Sequence, residues 1–449
     1  MRLRSISLAS AALLLPMQAL AQAVPGPAPA PAQPRPAPSP ARPPATTPAP
    51  APAPGRDPMA PLPSAEGTAP VAEELPPPLW SVANATDLLT YINAISQEGL
   101  DPLDYDPAGL TLAIRSGDPL ALAKAATDRF NRVSSDLAFG HVRGDDRQAW
   151  HVVDKDLDDV RQRQMLDAAL ATNRVPAVLQ TLLPTHPQYA SLKNALAMSD
   201  KADTSKINRI RLNMDRWRWL PRELGSKYII VNVPAFYATL VENGVTRWKH
   251  RAIAGATKTP TPQLSAMATG VMLNPWWEVP PSINKEVAGK PGYVAVKGKD
   301  GKVQRWRQPP GPTNALGLLK FVMYNPQNIY LHDTNARSRF SGRMRALSHG
   351  CIRTEHVLDL ATELLGDDNG EWTPERIQAA LDSKKAVEAK FVKPVPVYIV
   401  YFSAAALNDG SIQTYQDLYS RDAKVLAALL DKKPITPAAK PPAQTASRR

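Results

Sequence analysis

The sequence predicts an α+β protein in which a helical scaffold domain, residues 80–205, precedes a mainly β domain, residues 206–433. Three observations support this prediction. Apolar residues recur at helical spacing in the first region, and β-branched runs bounded by turn residues fill the second. A stretch dominated by Pro and Ala precedes both regions. The two regions are long enough to form real hydrophobic cores, and the sequence shows no internal repeat.

The N-terminus has the features of an exported protein. The basic start Met1–Arg4 is followed by the mostly apolar run Ile6–Leu15, and Ala19–Ala21 forms a small-x-small cleavage site. Residues 1–21 are therefore predicted to be a signal peptide, which implies a periplasmic location. The alternative is an uncleaved segment that anchors the protein to the membrane.

Two further segments are predicted to be disordered. Residues 22–79 form a Pro/Ala-rich linker that cannot bury a core and should be an extended spacer, and residues 434–449 form a short basic tail. The formal net charge of +12 favours polyanionic partners. Nucleic acid is the weakest of these candidates and is not predicted as a partner, because the chain is expected to be exported and shows no aromatic-basic recognition motif.

In the helical region, apolar spacing predicts helices within 87–95, 119–133 and 166–171. Gly99–Pro102 should break the first of them. His141 lies in a predicted loop and is interpreted as an ordinary polar residue, because no nearby spacing of carboxylates and histidines fits a metal site.

The second region contains β-branched runs typical of strands. Lys227–Val233 is one, and residues 238–248 predict a hairpin with Asn243 and Gly244 in its turn. Further strands are predicted at 271–273, 329–332 and 397–401. Helices are predicted only at 354–365 and at 374–382, the latter with Thr373 as its N-cap.

The chain has a single cysteine, Cys351, so an exported form cannot contain an internal disulfide. Cys351 precedes the predicted helix 354–365, whose N-terminus would lower the pKa of the thiol. Gly350 permits a tight turn, and the N–H groups of Gly350 and Cys351 could hold an oxyanion. His332 lies at a predicted strand end and would reach the thiol through the fold. These residues predict thiol acyl transfer.

The remaining histidines allow other interpretations. His349 is either a base or part of the scaffold of the site, and His356 is expected on the surface in the first turn of the predicted helix. A zinc site built from His332, His349 and Cys351 matches no common ligand spacing, so no metal and no cofactor is predicted.

His332, fifteen intervening residues and then Ser348-His349-Gly350-Cys351-Ile352-Arg353 resemble the signature of YkuD-type L,D-transpeptidases. The resemblance covers about residues 80–430. It extends to the YcbB-like branch of that family through five further segments: residues 98–102, 209–221, 274–283, 307–312 and 417–422.

This resemblance implies that Cys351 attacks the meso-diaminopimelate carbonyl of a peptidoglycan tetrapeptide stem and releases D-Ala. An amine of a second stem then resolves the acyl-enzyme and cross-links the cell wall. The resemblance makes His332 the general base, oriented by the backbone carbonyl of Asp333. Ser348, His349 and Gly350 would shape the oxyanion and orientation groups.

Substrate contacts follow from the same resemblance. Arg353 could pair a stem carboxylate bidentately, and Trp276, Trp277 and Asn274 would contact the substrate. Carbapenem β-lactams are implied as covalent inhibitors. The protein would act in association with the cell wall.

The sequence departs from the branch in two ways. The small peptidoglycan-binding domain that often precedes the catalytic domain is missing, and the cap at about 284–306 is short. The implied cross-link is 3→3 by default, and 1→3 is possible. Two other functions stay open: an L,D-carboxypeptidase or endopeptidase that uses water as acceptor, and a wall-binding scaffold without activity.

Overall fold

The computed structural model describes residues 78–153, 157–367, 370–407 and 411–431. The predicted signal peptide, the predicted linker up to residue 77 and the predicted tail lie outside the described residues. Within the described ranges, no helix combines the length and the apolar character needed to cross a bilayer.

The first region is helical, as predicted. Its helices are α1 Val82–Ala94, α2 Pro107–Ser116, α3 Pro119–Phe139, α4 Asp159–Thr172, α5 Val175–Gln180 and α6 Pro187–Ala197. Side-chain caps set several of the starts. Ser81 Oγ accepts a hydrogen bond from Asn84 N at 3.1 Å, and Asp118 Oδ1 accepts one from Leu120 N at 2.9 Å. Gly99, with φ 76°, ends the 3₁₀ turn after α1 and so provides the predicted break.

These helices share one hydrophobic core. Leu88 and Ile92 of α1 pack with Phe130, Val133 and Leu137 of α3, and all five are fully buried. Burial of each such side chain stabilises the fold by roughly 1.5–3 kcal/mol. The helical region therefore has a core of its own.

A seventh helix, α7 Thr204–Arg218, connects the helical region to the sheet. The polar residues near its C-terminal end are buried: Asp215 Oδ1 accepts from His141 N at 2.6 Å, and Arg218 donates to Tyr189 Oη at 2.6 Å. Arg216 pairs with Asp422 at 2.8 Å. The apolar pattern of α7 is interrupted by these buried charges, which explains why the sequence did not predict the helix.

The second region is mainly β, as predicted. Its strands are β1 Lys227–Asn232, β2 Tyr237–Glu242, β3 Val245–Gly255, β4 Leu264–Leu273, β5 Trp277–Glu278, β6 Val294–Lys297, β7 Val303–Gln308, β8 Leu319–Met323, β9 Leu331–His332, β10 Ala346–Ser348, β11 Ile352–Thr354, β12 Val387–Val400, β13 Ala404–Ala406 and β14 Ile412–Thr414. The main sheet has the order β10-β3-β11-β9-β8-β4-β12-β1-β2. Because β2 also pairs with β3, the sheet closes on itself.

The predicted hairpin is present as β2 and β3. Asn243 and Gly244 occupy its turn with φ values of 49° and 78°, the left-handed conformation that an Asn-Gly pair supplies. The strands predicted at 227–233, 271–273 and 397–401 lie within or overlap β1, β4 and β12.

The described residues of this region also form the helices α8 Asn284–Val287, α9 Val357–Gly366, α10 Pro374–Asp382 and α11 Asp422–Leu430. Helix α10 has the predicted bounds, and Thr373 caps it through a 3.3 Å bond from Arg376 N. The prediction that a helix begins at Thr354 was wrong. Strand β11 continues to Thr354, and α9 begins after His356, which has φ 52°. Helix α11 was not predicted.

A small sheet of order β5-β7-β6 stands beside the main sheet, with α8 between β5 and β6 in sequence. Val279, Ile283 and Val287 form its own apolar cluster. This three-stranded element, residues 277–308, contains the segment predicted as the cap. It is called the cap below.

Candidate active site

The proposed nucleophile and base lie on neighbouring parallel strands. Ile352 pairs with Leu331, and Arg353 pairs with His332. Ile352 and Leu331 are fully buried in the main core. Because side chains alternate along a strand, Arg353 and His332 point to the opposite face. The strand pairing thus places Arg353, two residues after Cys351, beside His332.

Cys351 directly precedes β11, and its side chain is half-buried. Its Sγ lies 3.6 Å from the carbonyl oxygen of Asn328, to which it donates. Burial raises the pKa of the thiol, while Tyr330, Lys320 and Arg353 act in the opposite direction. The expectation of a lowered pKa was wrong, because burial outweighs these opposing effects, and β11 lies between Cys351 and the start of α9 in the chain.

His332 is buried, with 5% of its surface exposed. Burial, reinforced by the positive charge of Arg353, lowers its pKa to about 3, while Asp333 opposes this shift. Its buried Nδ1 has no well-formed hydrogen bond with the described residues. The backbone of Asp333 is nevertheless close enough to raise the pKa of the ring. At neutral pH the imidazole is therefore uncharged. Burial also makes it a weaker base, and a thiolate formed beside it would offset this by stabilising the imidazolium.

The side chain of Asp333 fixes the strand end. Its Oδ2 accepts hydrogen bonds from Leu318 N at 2.9 Å and from Arg337 Nη2 at 2.7 Å. A Cβ on Gly317 would lie 2.4 Å from the same oxygen, and Gly317 has φ 62°, so only glycine fits there. These contacts hold the backbone that carries His332.

A tight turn presents Cys351. Ser348 Oγ donates to the carbonyl of Cys351 at 2.6 Å and accepts from Gly350 N at 3.1 Å. Gly350 has φ 117°, a conformation that favours glycine. The amide of Gly350 is thus already bonded, whereas the amide of Cys351 makes no hydrogen bond with the described residues. Of the two predicted oxyanion donors, the Cys351 amide is the available one.

The turn is supported by threonines that the sequence analysis did not identify. Thr261 Oγ1 donates to the Gly350 carbonyl at 2.7 Å and accepts from Gly255 N at 2.9 Å. Thr259 Oγ1 donates to the Ser348 carbonyl at 3.0 Å. Thr261 is fully buried, so both of its bonds form away from water.

Thr261 is itself held by Tyr419 and Arg421, which lie just before α11. Tyr419 Oη donates to the Gly255 carbonyl at 2.7 Å, and the Thr261 amide donates to Tyr419 Oη at 3.2 Å. Arg421 Nη2 donates to the Thr261 carbonyl at 3.0 Å. Tyr419 and Arg421 lie within residues 417–422, one of the segments that carry the family resemblance.

His349 points towards the cap rather than into the sheet. Its Nε2 lies 3.3 Å from Glu286 Oε2 on α8, and its side chain is 46% exposed. The turn Ser348–Cys351, which carries the proposed nucleophile, is called the nucleophile turn below. The contact of His349 with Glu286 connects this turn to the cap.

The predicted substrate residues occupy different environments. Asn274 does not fit the role, because its buried side-chain amide donates to the carbonyls of Ala380, Leu381 and Lys385 at the end of α10. Its contribution is structural. Trp276 is covered by the guanidinium of Arg307, 4.3 Å from the ring centroid.

Trp277 and Tyr330 link the cap to the thiol. The side chains of Cys351 and Trp277 both act on the pKa of the Tyr330 phenol, which burial raises. The ring of Tyr330 also stands edge-on to His332, with 5.7 Å between centroids. Tyr330 is a site residue that the sequence analysis missed. The signal was available, because Tyr330 precedes His332 by two positions and so shares its face.

Arg353 gives the site a positive charge. Its Nε is buried without a hydrogen-bond partner, and no ion pair joins it to the described residues. Burial and the neighbouring Arg339 lower its pKa. Lys320, opposite His332 on β8, places its Nζ 5.1 Å from the Tyr330 ring centroid. An unpaired guanidinium and a lysine suit a substrate that carries carboxylates.

Comparisons with known proteins match two parts of the chain. The family model of the YkuD L,D-transpeptidase catalytic domain matches residues 226–396, and the Scaffold domain model matches residues 73–196. A Haemophilus influenzae protein named "Putative L,D-transpeptidase" is 28% identical over 286 residues, which cover 58% of this chain and 57% of that protein. The chain thus matches little more than half the length of this curated relative.

Similar solved structures include a cysteine-to-serine mutant of Enterococcus faecium L,D-transpeptidase, 12% identical with a TM-score of 0.22 over 39% of this chain and 50% of that chain. An L,D-transpeptidase from Mycobacterium smegmatis is 15% identical, with a TM-score of 0.21 over 39% and 58% of the two chains. These scores are too low to support any argument about the site.

The two family models divide the chain as the fold does: a match to the Scaffold domain covers the helical region, and a match to the L,D-transpeptidase catalytic domain covers most of the mainly β region. Residues 226–396 are thus similar to the catalytic domain of YkuD L,D-transpeptidases. The domain limits drawn at residues 205 and 433, and the roles of the individual site residues, stay predictions.

Proposed function

We propose that the protein is a periplasmic peptidoglycan L,D-transpeptidase in which Cys351 is the nucleophile and His332 the general base. The observation that supports this most directly is the pairing of β9 with β11, which sets His332 and Arg353 side by side next to the thiol. Peptidoglycan stems carry both the amide to be cleaved and the carboxylates that Arg353 would bind.

The reaction begins with the neutral partners present at pH 7. Cys351 transfers its proton to His332 as Sγ attacks the meso-diaminopimelate carbonyl carbon, so the thiolate forms only where it reacts. The oxyanion of the tetrahedral intermediate would accept a hydrogen bond from the Cys351 amide. Collapse breaks the amide bond, and the leaving D-Ala nitrogen takes the proton from His332.

In the second half of the reaction, the acyl group passes from Cys351 to an acceptor amine. An amine of another stem gives a proton to His332 and attacks the thioester, and the thiolate then leaves and is protonated again. The product is a 3→3 cross-link when the amine comes from meso-diaminopimelate. A 1→3 link would arise from the amine of a stem's first residue.

Mass spectrometry of products tests the proposal. The mature protein, incubated with disaccharide-tetrapeptide, should yield a cross-linked dimer and free D-Ala, and Cys351→Ala should yield neither while keeping its fold. Tripeptide without dimer would instead identify an L,D-carboxypeptidase. No product from folded, reduced protein would favour a wall-binding scaffold without activity.

The same site should react with carbapenems. Their strained amide carbonyl resembles the scissile peptide, and their carboxylate could pair with Arg353. Intact-protein mass spectrometry should show one adduct per chain, absent from Cys351→Ala. A reduced Cys351 thiol that forms no adduct would contradict the assignment.

A further inference from the structure

A second cluster of potential ligands lies where β3 meets the start of α9. His250, Glu355 and His356 bring one ligand atom each within 4.8 Å of one another. His250 and Glu355 are half-buried, and His356 is exposed. The two imidazole rings lie 4.8 Å apart between centroids. Two imidazoles and a carboxylate form a common ligand set for zinc and neighbouring transition metals.

Backbone hydrogen bonds hold the carboxylate next to the strand. The Glu355 amide donates to the Arg251 carbonyl at 2.9 Å, and the Arg251 amide donates to Glu355 Oε2 at 3.3 Å. These bonds continue the pairing of Thr354 with Ala252. The Glu355 carboxylate is therefore oriented by the fold itself, as metal-ligating carboxylates are.

His356 occupies its position at a conformational cost. It has φ 52° and ψ 33°, and as N-cap of α9 its side chain makes no capping hydrogen bond. The left-handed region is unfavourable for residues with a Cβ, and Ser, Asp or Asn would cap the helix better. A strained residue that leaves its helix uncapped suggests another use for its side chain. Its ring instead lies against His250.

We propose that His250, Glu355 and His356 bind a divalent transition-metal ion of the Zn²⁺ type. The site is on the face of the sheet away from His332 and Arg353. By strand alternation His250 shares a face with Ala252, which pairs with Thr354, and Thr354 points opposite to Arg353. This inference does not depend on the proposed reaction.

The surrounding groups fit an ion. Ligand atoms on one tetrahedral Zn²⁺ lie about 3.4 Å apart, so the side chains, which are exposed or half-buried, must close by up to about 1.4 Å. Arg251 Nη1 stands 3.8 Å from Glu355 Oε1, a loose contact that an ion would replace. Asp359 Oδ2 lies 3.5 Å from His356 Nδ1 and can orient that ring.

The ion would act on the segment that carries the nucleophile. Glu355 and His356 follow Cys351 by four and five positions, on the far side of β11. A bound ion would tie β3 to the start of α9 and thus stabilise the end of β11. The binding free energy would add to the stability of the folded state.

Isothermal titration with Zn²⁺ tests the site in the mature Cys351→Ala protein, in which no thiol competes for the ion. The ligand variants are His250→Ala, Glu355→Gln and His356→Asn, since Asn tolerates the left-handed conformation. Asp359→Asn probes the orienting group, and His151→Ala, at an exposed histidine elsewhere, is the matched control.

We expect one Zn²⁺ per chain and no comparable binding of Mg²⁺ or Ca²⁺, which prefer oxygen ligands. Each ligand variant should weaken Zn²⁺ binding more than about 100-fold, and Asp359→Asn by about 10–100-fold. His151→Ala should bind as the parent does. Zn²⁺ should also raise the unfolding temperature of the parent and not that of the ligand variants.

Two results would overturn the proposal. One is the absence of saturable Zn²⁺ binding to the folded parent. The other is adventitious binding of Zn²⁺ to surface histidines. It would be shown by an unchanged Zn²⁺ affinity in His250→Ala or His356→Asn, or by a loss of affinity in His151→Ala equal to that in the ligand variants. Circular dichroism of every variant separates a lost ligand from a lost fold.

Discussion

Replacement of Thr261 by valine should disable the nucleophile turn without touching the substrate. Valine has nearly the same shape but lacks the hydroxyl that donates to the Gly350 carbonyl at 2.7 Å and accepts from Gly255 N at 2.9 Å. Two buried backbone groups lose a partner, and each unsatisfied group costs about 1–3 kcal/mol. The free energy of unfolding should therefore fall by about 2–6 kcal/mol.

Catalysis should suffer as well, because Gly350 directly precedes Cys351 in the turn. A shift of about 1 Å in a reacting group can cost about 100-fold in rate. We therefore expect carbapenem acylation of Cys351 to slow by about that factor in Thr261→Val. The rate is measured by intact-protein mass spectrometry over time, and stability by urea denaturation.

Two controls make the result interpretable. Thr261→Ser keeps the hydroxyl and loses one methyl group, which costs about 0.8 kcal/mol of burial, so its acylation rate should stay near that of the parent. Thr86→Val removes an exposed helical hydroxyl that donates to Val82 O at 2.7 Å and should change stability by less than about 0.5 kcal/mol. Thr261→Val with parental stability and acylation rate would refute the reasoning.

Four other changes test further parts of the protein. His332→Ala should slow acyl transfer by about 10²–10⁴-fold and His151→Ala should not; equal, small effects would identify a different base. The pKa of His332 is about 3 in the folded protein, against about 6.5 unfolded, so the free energy of unfolding should fall as the pH drops from about 6.5 to 3. In His332→Gln, the free energy of unfolding measured by urea denaturation should fall less over this pH range. An unchanged pH dependence would contradict the argument that burial lowers the pKa of His332. Asn274→Ala should lower the unfolding temperature and leave the KM for tetrapeptide unchanged. A raised KM would indicate that Asn274 contacts the substrate after all. Deletion of residues 24–79 should leave turnover on soluble tetrapeptide unchanged but reduce wall cross-linking in cells, and slower soluble turnover would place the spacer in the folded enzyme.

The parts of the fold that the sequence predicted depend on local chemistry. The Asn243-Gly244 turn and the Thr373 cap of α10 each arise from neighbouring residues, so a short window contains the whole signal. The proximity of Cys351 and His332 was predicted for another reason. It followed from a family resemblance, because the two strands that join them meet only in the closed sheet.

The parts that were wrong or missed depend on distant contacts. Thr354 and Glu355 resemble the start of a helix, but pairing of Thr354 with Ala252 extends the strand and delays α9. Helix α7 was hidden because Arg216 and Arg218 are buried by partners far along the chain. The support of the nucleophile turn by Thr261 likewise joins residues 89 positions apart.

An ion pair joins α7 to α11, with Arg216 Nη1 2.8 Å from Asp422 Oδ1. This pair affects which fragments and which mutant alleles should be inactive. A fragment cut at the limits of the catalytic family match, residues 226–396, would keep Cys351 and His332 but lose both of these helices. It would also lose Arg421, which holds Thr261. In a screen for inactive alleles, substitutions at Arg216 or Asp422 should therefore be recovered as often as those in the reaction centre, although neither side chain meets the wall.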